Sequence, residues 1–320
     1  MLYGSEVSLR CGIVLSGGEG KRLEPLVRRL VGKPLPKQYV KLMGKHSMLE
    51  RTFQRVEQLI PARRVFTVLN ASHLQFCEVR DQISPREPTT LLIQPENKET
   101  GPGLLVPLVH IYKRYPDASA AVFPSDHFVA EDELFMAYVD MAFRMVERCP
   151  SAVVLIGIEP NGPEVDYGYV VPGQDAHHRG PWGTRKVLRF VEKPSPAIAR
   201  DILRERGLWN TFVMTFKVKT MLELARRFWP ALYEAFQTFG DAIGTSRERR
   251  AIEEVFRRIE AVNLSRDLLE RLPLERDNPL WVLPVRGVRW SDWGSEERIW
   301  STLAALGRTE AARVSTRRIG

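Results

Sequence analysis

Cysteine, long apolar runs and acidic excess are all scarce in this chain. Only Cys11, Cys77 and Cys149 occur in 320 residues, far apart and with no CxxC spacing. That excludes a disulfide framework and a structural zinc site, and it predicts a reducing compartment. Apolar runs such as SAVVLIGI fall well short of the ~20 residues needed to cross a bilayer, so no membrane partner is expected. The opening MLYGSEVSLR has no apolar core of a secretory signal, and a cytoplasmic location follows as the expectation. Basic residues outnumber acidic ones by 47 to 39, a formal charge of +8 that suits a polyanionic ligand such as a nucleotide or nucleic acid. The basic residues do not alternate with aromatics as they do on single-strand binding surfaces, so a nucleic-acid partner is not expected.

What is present is ordinary globular material, 44% hydrophobic and 27% charged. Near-continuous apolar runs, CGIVLS, RVFTVLN, TTLLIQ, SAAVFPSD and SAVVLIGI, read as buried strands. Between them lie SMLERTFQRVEQLI, SHLQFCEVRDQI, GLLVPLVHIYKRY and EDELFMAYVDMAFRMVERC, whose apolar residues recur every three or four positions. This alternation predicts an α/β fold, a Rossmann-like three-layer sandwich with a mostly parallel central sheet. From about 158 the texture turns to Gly/Pro-rich turns between antiparallel strands. A helix near 196–206, the strand WNTFVMTFKV, a helical stretch from about 218 to 272, the strand LWVLPV and a helix over 295–306 follow. The expected organisation is an N-terminal extension (1–10) and one domain over 11–306, in a first half of about 11–157 and a smaller antiparallel and helical second half of about 158–306. The low-apolar tail, 307–320, is expected to lack order.

In such sheets ligands sit beyond the carboxyl ends of the strands. After the first strand come Gly17, Gly18 and Gly20, then Lys21 and Arg22. The glycines permit close backbone approach and an inward-turned set of N–H groups, an anion nest. A P-loop is excluded because Leu15 stands where its first glycine belongs and Arg22 where its hydroxyl belongs. The dinucleotide fingerprint fails because Leu23 follows Gly20 at the position of the third glycine. GGxGxRLxPL remains, with an arginine able to fork onto phosphate oxygens. Lys37 adds a cation on the proline-stiffened PLPKQY. By itself a glycine cluster after a strand also fits a plain tight turn.

The fourth strand ends in VFPSDHF, and RWSDWGS lies far along the chain. Asp126 and Asp292, at those two ends, could supply the protein share of a magnesium site. Taken alone, Asp126 would more commonly be the N-cap of the next helix. His127 has no second His or Cys at ligand spacing and reads as structural support, and His177–His178 reads as a solvated turn. In the second half, FVEKP sets Glu192 beside Lys193, a hydroxyl acceptor next to a phosphate-holding cation. Gly168 in DYGYV allows close approach to a ring, and Asn210 in WNTF offers a bifunctional amide.

Taken together, GGEGKRLEPL, PLPKQY, QPENKETGPG, FPSDH, DYGYV, FVEKP, WNTF and WSDWGS resemble, in order and from about 11 to 306, the sugar-1-phosphate nucleotidyltransferases, and most of all the mannose-1-phosphate guanylyltransferases. The resemblance implies that Leu15, Gly17, Gly18, Gly20, Lys21, Arg22, Gln94 and Thr100 bind the nucleoside triphosphate, with Gln94 near the base. It implies that Gly168, Glu192, Lys193 and Asn210 bind the sugar phosphate. It also implies that Arg22, Lys37, Asp126 and Asp292 serve catalysis, and that Asp126 and Asp292 hold Mg²⁺ or another divalent cation. The implied reaction joins a sugar 1-phosphate (mannose 1-phosphate) to an NTP (GTP) with loss of pyrophosphate, and homo-oligomerisation stays open.

The chain departs from the family pattern at three places. Glu99-Thr100-Gly101-Pro102-Gly103 replaces Asn-Thr-Ala-Pro-Ala, Phe212 stands where glycine is typical, and Glu24 replaces a tryptophan. These changes bear on base and sugar choice and leave UTP or dTTP with glucose 1-phosphate as an alternative. A non-catalytic regulatory paralogue is a further alternative, against which the retained Arg22, Lys37, Asp126, Lys193 and Asp292 argue. A glycosyltransferase would carry an Asp-x-Asp motif, and none occurs. Nor is there room in this length for the isomerase domain of longer relatives.

Overall fold

The computed structural model describes residues 9–307, so most of the extension and nearly all of the tail lie outside the described residues. Among the described residues eleven strands are formed: β1 (Arg10–Ser16), β2 (Val65–Asn70), β3 (Leu91–Gln94), β4 (Ser119–Pro124), β5 (Phe128–Val129), β6 (Val153–Ile158), β7 (Gly168–Pro172), β8 (Arg185–Glu192), β9 (Leu208–Lys217), β10 (Leu280–Val285) and β11 (Trp290–Ser291). The helices are α1 (Glu24–Val31), α2 (Met48–Val56), α3 (Cys77–Ile83), α4 (Thr100–Arg114), α5 (Asp132–Arg148), α6 (Pro196–Arg204), α7 (Val218–Phe228), α8 (Pro230–Ala242), α9 (Glu248–Arg258) and α10 (Glu296–Ala305).

Nine strands share one sheet in the order β3-β2-β1-β4-β9-β6-β10-β8-β7, with β5 and β11 forming a separate ribbon. The first four are parallel, as are β6 and β10, while β9 runs antiparallel to both β4 and β6. Only β8 and β9 oppose the common direction, since β7 is antiparallel to β8, which is antiparallel to β10. The sheet is therefore mixed, with its parallel part concentrated in the first half. At the far edge β7 also pairs with β9, so this end of the sheet curls round on itself. The antiparallel second half is part of the same sheet.

Strands β2, β4 and β6 are buried along their whole length, which is why their sequences run apolar without alternation. Successive residues feed opposite layers. Ala120 and Val122 of β4 face the cluster with α4, α7 and α8, whereas Ala121 and Phe123 face the one with α2 and α5. Burying each Val, Leu, Ile or Phe side chain in these layers contributes roughly 1.5–3 kcal/mol. Helix α2 begins at a capping box, in which Ser47 accepts from the Glu50 amide and Glu50 accepts from that of Ser47. One helix was not foreseen: EPLVRRLV forms α1, with Pro25 in its first turn. A third cluster joins Leu23 and Leu26 to Phe128, Trp293, Ile299 and Leu303. It locks the chain after the glycine loop against the last helix.

Candidate active site

The carboxyl end of β1 leads straight into the glycine loop. Gln38, buried beneath it, donates from Nε2 to Ser16 O (3.1 Å) and Gly18 O (2.8 Å), and the Tyr39 hydroxyl donates to Ser16 O at 3.1 Å. The loop carbonyls are thus pinned inward, and Gly20 takes the left-handed conformation at φ 64°. A Cβ at Gly17 would lie 2.5 Å from Gln94 Nε2, and one at Gly103 would lie 3.5 Å from Gln94 Oε1. Gln94 ends β3 with 2% exposure, and its Oε1 has no hydrogen-bond partner. An unpartnered buried acceptor costs about 1–3 kcal/mol, so this amide edge is suited to a ligand's donor.

The ribbon brings the two aspartates together. Ser291 pairs with Phe128 and Trp290 with Val129, antiparallel, so the next rung sets Asp292 opposite His127, beside Asp126. Asp126 caps no helix, because α5 starts only at Asp132 with Glu131 as its cap. Lys37 Nζ stands 3.1 Å from Asp126 Oδ2 and donates to Asp292 O (2.7 Å) and Trp293 O (3.0 Å). Burial disfavours the Asp126 carboxylate, but Lys37 and His127 outweigh it and hold its pKa below the usual range. His127 is itself pushed down by burial, against the pull of Asp126 and Asp292. Its Nδ1 lies 3.1 Å from Thr211 O and its ring packs edge-on to Trp290. These contacts fit a supporting role, but His127 also lines the cleft, with its Nε2 3.7 Å from Asp126 Oδ1.

Across the cleft the register sets Gly168 opposite Glu192. A Cβ at Gly168 would lie 2.8 Å from Glu192 Oε2 and 3.5 Å from Asn210 Cβ, so glycine lets these two side chains close in. Burial raises the Glu192 pKa, opposed by Ser265 and Lys193. Asn210 Oδ1 accepts from the Phe212 amide at 3.1 Å, which fixes its orientation.

One cleft of about 280 Å³ is lined by Leu15, Gly18, Thr100, Asp126, Gly168, Glu192, Asn210 and Asp292 together. Arg22, Lys37 and Gln94 stand behind or beside this lining. Lys21 is 79% exposed and paired with Glu19 at 2.6 Å, and Lys193 projects from the strand end, exposed, at φ 50°. Thr100 Oγ1 accepts from the Leu264 amide at 2.9 Å. Among the described residues, four of the six non-glycine residues with positive φ are Glu99, Lys193, Phe212 and Trp293. Each lines the cleft or adjoins a residue that does, the usual place for stored backbone strain. Asp175, His177 and His178 also gather ligand atoms within 4.8 Å, on an exposed turn, but line no part of the cleft.

Sequence reading missed Gln38, Asp166 and Arg298. Gln38 and Asp166 lay inside motifs already singled out, PLPKQY and DYGYV. Arg298, three residues into the last helix, carried no local signal. The departure at Gly101 has a steric reason, since a Cβ there would meet Val262 O at 2.8 Å. Phe212 lines the cleft directly.

A family model for nucleotidyl transferases matches residues 11–308. This chain belongs to that family. Among relatives, the xanthan biosynthesis protein XanB of Xanthomonas campestris pv. campestris (strain B100) is 31% identical over 91% of this chain and 58% of its own. A mannose-1-phosphate guanylyltransferase of Escherichia coli is 25% identical over 94% of this chain and 62% of its own. The chain thus spans about three-fifths of the length of these relatives. A crystal structure described as a mannose-1-phosphate geranyltransferase from Thermus thermophilus superposes with a TM-score of 0.72. It is 27% identical, over 93% of this chain and 78% of that one. In this nucleotidyl transferase no described helix is long and apolar enough to cross a membrane.

Proposed function

We propose that this nucleotidyl transferase joins mannose 1-phosphate to GTP, giving GDP-mannose and pyrophosphate. The observation that carries the reading is the convergence on one cleft of Asp126 and Asp292 with Gly168, Glu192 and Asn210, beside the glycine loop. The E. coli relative named for this activity supports the choice of base and sugar. Two carboxylates at the β4 and β11 ends are hard oxygen donors that fit a divalent cation such as Mg²⁺, and Asp126 and Asp292 would hold it. When bound, that ion supplies positive charge where two polyanions meet.

The remaining roles belong to side chains. Gln94, wedged between Gly17 and Gly103, faces the base. Arg22 and Lys37 cancel charge on the triphosphate, with Lys21 and Thr100 at its margin. Glu192 and Asn210 take sugar hydroxyls, and Lys193 swings onto the sugar's phosphate. That phosphate is already anionic near neutral pH, so its oxygen attacks the α-phosphorus with no general base, and pyrophosphate leaves. Catalysis is alignment plus relief of repulsion. Ser125 and His127 both line the cleft, but among the described residues no serine is hydrogen-bonded to a histidine there, and His127 Nδ1 faces Thr211 O instead. The unpaired cysteines favour a cytoplasmic setting.

The test is pyrophosphate release across four NTPs and a panel of sugar 1-phosphates with Mg²⁺. GTP with mannose 1-phosphate should turn over fastest. Preference for another pair would replace the assignment, and no turnover with any pair would favour a regulatory paralogue.

A further inference from the structure

The two carboxylates assigned to the metal each already hold a protein cation, and the two cations are held differently. The Lys37 ammonium has three acceptors, Asp126 Oδ2 and the carbonyls of Asp292 and Trp293, so its donors are spent and it stays. Arg298 is less settled. Its Nε lies 3.4 Å from Asp292 Oδ1 and its Nη1 3.5 Å from Glu164 Oε2. Yet neither nitrogen, both buried, makes a hydrogen bond. Nη2 is bonded, donating to Asp166 Oδ2 at 2.8 Å, while the guanidinium lies 4.8 Å over the Tyr167 ring.

Asp166 is shared. The same Oδ2 accepts from Arg22 Nη1 at 3.1 Å. A Cβ at Gly294 would lie 2.4 Å from Asp292 Oδ2, 2.9 Å from Arg22 Nη2 and 3.1 Å from Arg298 Nη2, so both guanidinium groups converge beside the Asp292 carboxylate. Arg22 is 56% exposed on its side chain, whereas Arg298 is 12% exposed. The cation free to move toward an incoming triphosphate is therefore competing with Arg298 for one carboxylate oxygen.

We propose that Arg298 and Asp166 couple metal loading to triphosphate binding: Arg298 guards Asp292 until Arg22 leaves Asp166 for the phosphates. With Arg22 gone, Asp166 holds a full negative charge for Arg298 alone, and the guanidinium shifts off Asp292 toward it. Asp292 then becomes available to a divalent ion at the moment the triphosphate's own charge arrives. Before that, a resident cation at this distance repels a divalent ion strongly in a half-buried site. Arg298 is thus a positioning residue, and the inference rests on the assignment of Asp126 and Asp292 to the metal and of Arg22 to the triphosphate.

The test is Mn²⁺ binding to the nucleotide-free protein, followed by electron paramagnetic resonance. Arg298→Gln should tighten Mn²⁺ binding about tenfold, and Arg298→Lys should restore the weak binding of the unaltered protein. Arg22→Gln, which imitates departure of that side chain, should tighten binding as well. Because both act through Arg298, Arg22→Gln should add nothing in an Arg298→Gln background. Unchanged or weaker binding in Arg298→Gln overturns the proposal, as does full additivity of the two substitutions. Should Arg298→Gln not fold, Arg22→Gln, at an exposed position, decides alone: no tightening overturns it. Asp126→Asn separates the two levels. If that variant binds Mn²⁺ as the unaltered protein does, the metal assignment itself fails. If it binds less while Arg298→Gln shows no gain, only the coupling fails.

Discussion

Lys37 ties Asp126 to the chain segment of Asp292: its ammonium is 3.1 Å from one carboxylate and 2.7 Å from the other residue's carbonyl. The two ends of the proposed metal site are therefore held by one buried side chain. Lys37→Met should lower stability by about 2 kcal/mol, since charged hydrogen bonds are lost and Asp126 is left unbalanced. It should cut kcat by about a hundredfold or more. Urea unfolding and turnover measure the two effects. A variant with normal stability would show that Lys37 is not the tie described.

Asp126→Asn keeps the size of the side chain and removes its charge. The fold should persist, because the side chain is about a third exposed (35%) and caps no helix. Metal-dependent turnover should fall by about a hundredfold or more. Near-normal rates at saturating Mg²⁺ would remove Asp126 from the metal.

Gly17 and Gly18 make an internal control. Alanine at Gly17 forces its Cβ to 2.5 Å from Gln94 Nε2, whereas at Gly18 nothing lies within 4 Å. Gly17→Ala should displace Gln94, raising KM for GTP about tenfold and weakening the choice between GTP and ATP. Gly18→Ala should leave base discrimination unchanged. Equal effects would mean that Gln94 does not read the base.

Lys193 projects from the end of β8 beside Glu192. Lys193→Ala should raise KM for the sugar phosphate about tenfold or more while KM for the nucleotide barely moves. A matched rise in both would take Lys193 out of the acceptor site.

His73 is buried and the His110 side chain is only 10% exposed, and burial pushes each pKa down to about 4 from 6.5, at His110 against the pull of Glu248 at 3.6 Å. Unfolding lets each take up a proton between those two values. Their neutral state therefore costs nothing above pH 6.5, and stability is lost as pH falls toward 4, by about 3 kcal/mol for each. Thermal unfolding between pH 7 and 4 should show this slope. His110→Leu should flatten part of it, and an unaltered slope would show that His110 is not held neutral.

The sheet strands of the first half were legible because burial on both faces writes itself as unbroken apolar runs, as in VFTVLN and AAVFP, and most of its helices because apolar residues recur every three or four positions. Helix α1 was not, since Pro25 and two arginines give EPLVRRLV a weak pattern that only contact with α10 resolves. The β11 strand was hidden for a similar reason. Two residues of WSDWGS pair with β5, and so short a ladder has no periodicity to detect.

At the cleft, residue type and position at or just after a strand's carboxyl end singled out the glycine loop, Asp126 and Glu192 as candidates, whereas Asn210, the third residue of β9, was singled out by its amide alone. These are local properties, because a strand's carboxyl end is itself local. Contacts between residues distant in sequence were decided only by folding. The ribbon register sets Asp292 beside Asp126, Lys37 joins them from below, and Arg298 reaches Asp166 from the last helix. Sequence determines which groups are carried and which chemistry they suit. The tertiary structure decides which charges meet, because pairing energies depend on distances of a few ångströms that no spacing along the chain encodes.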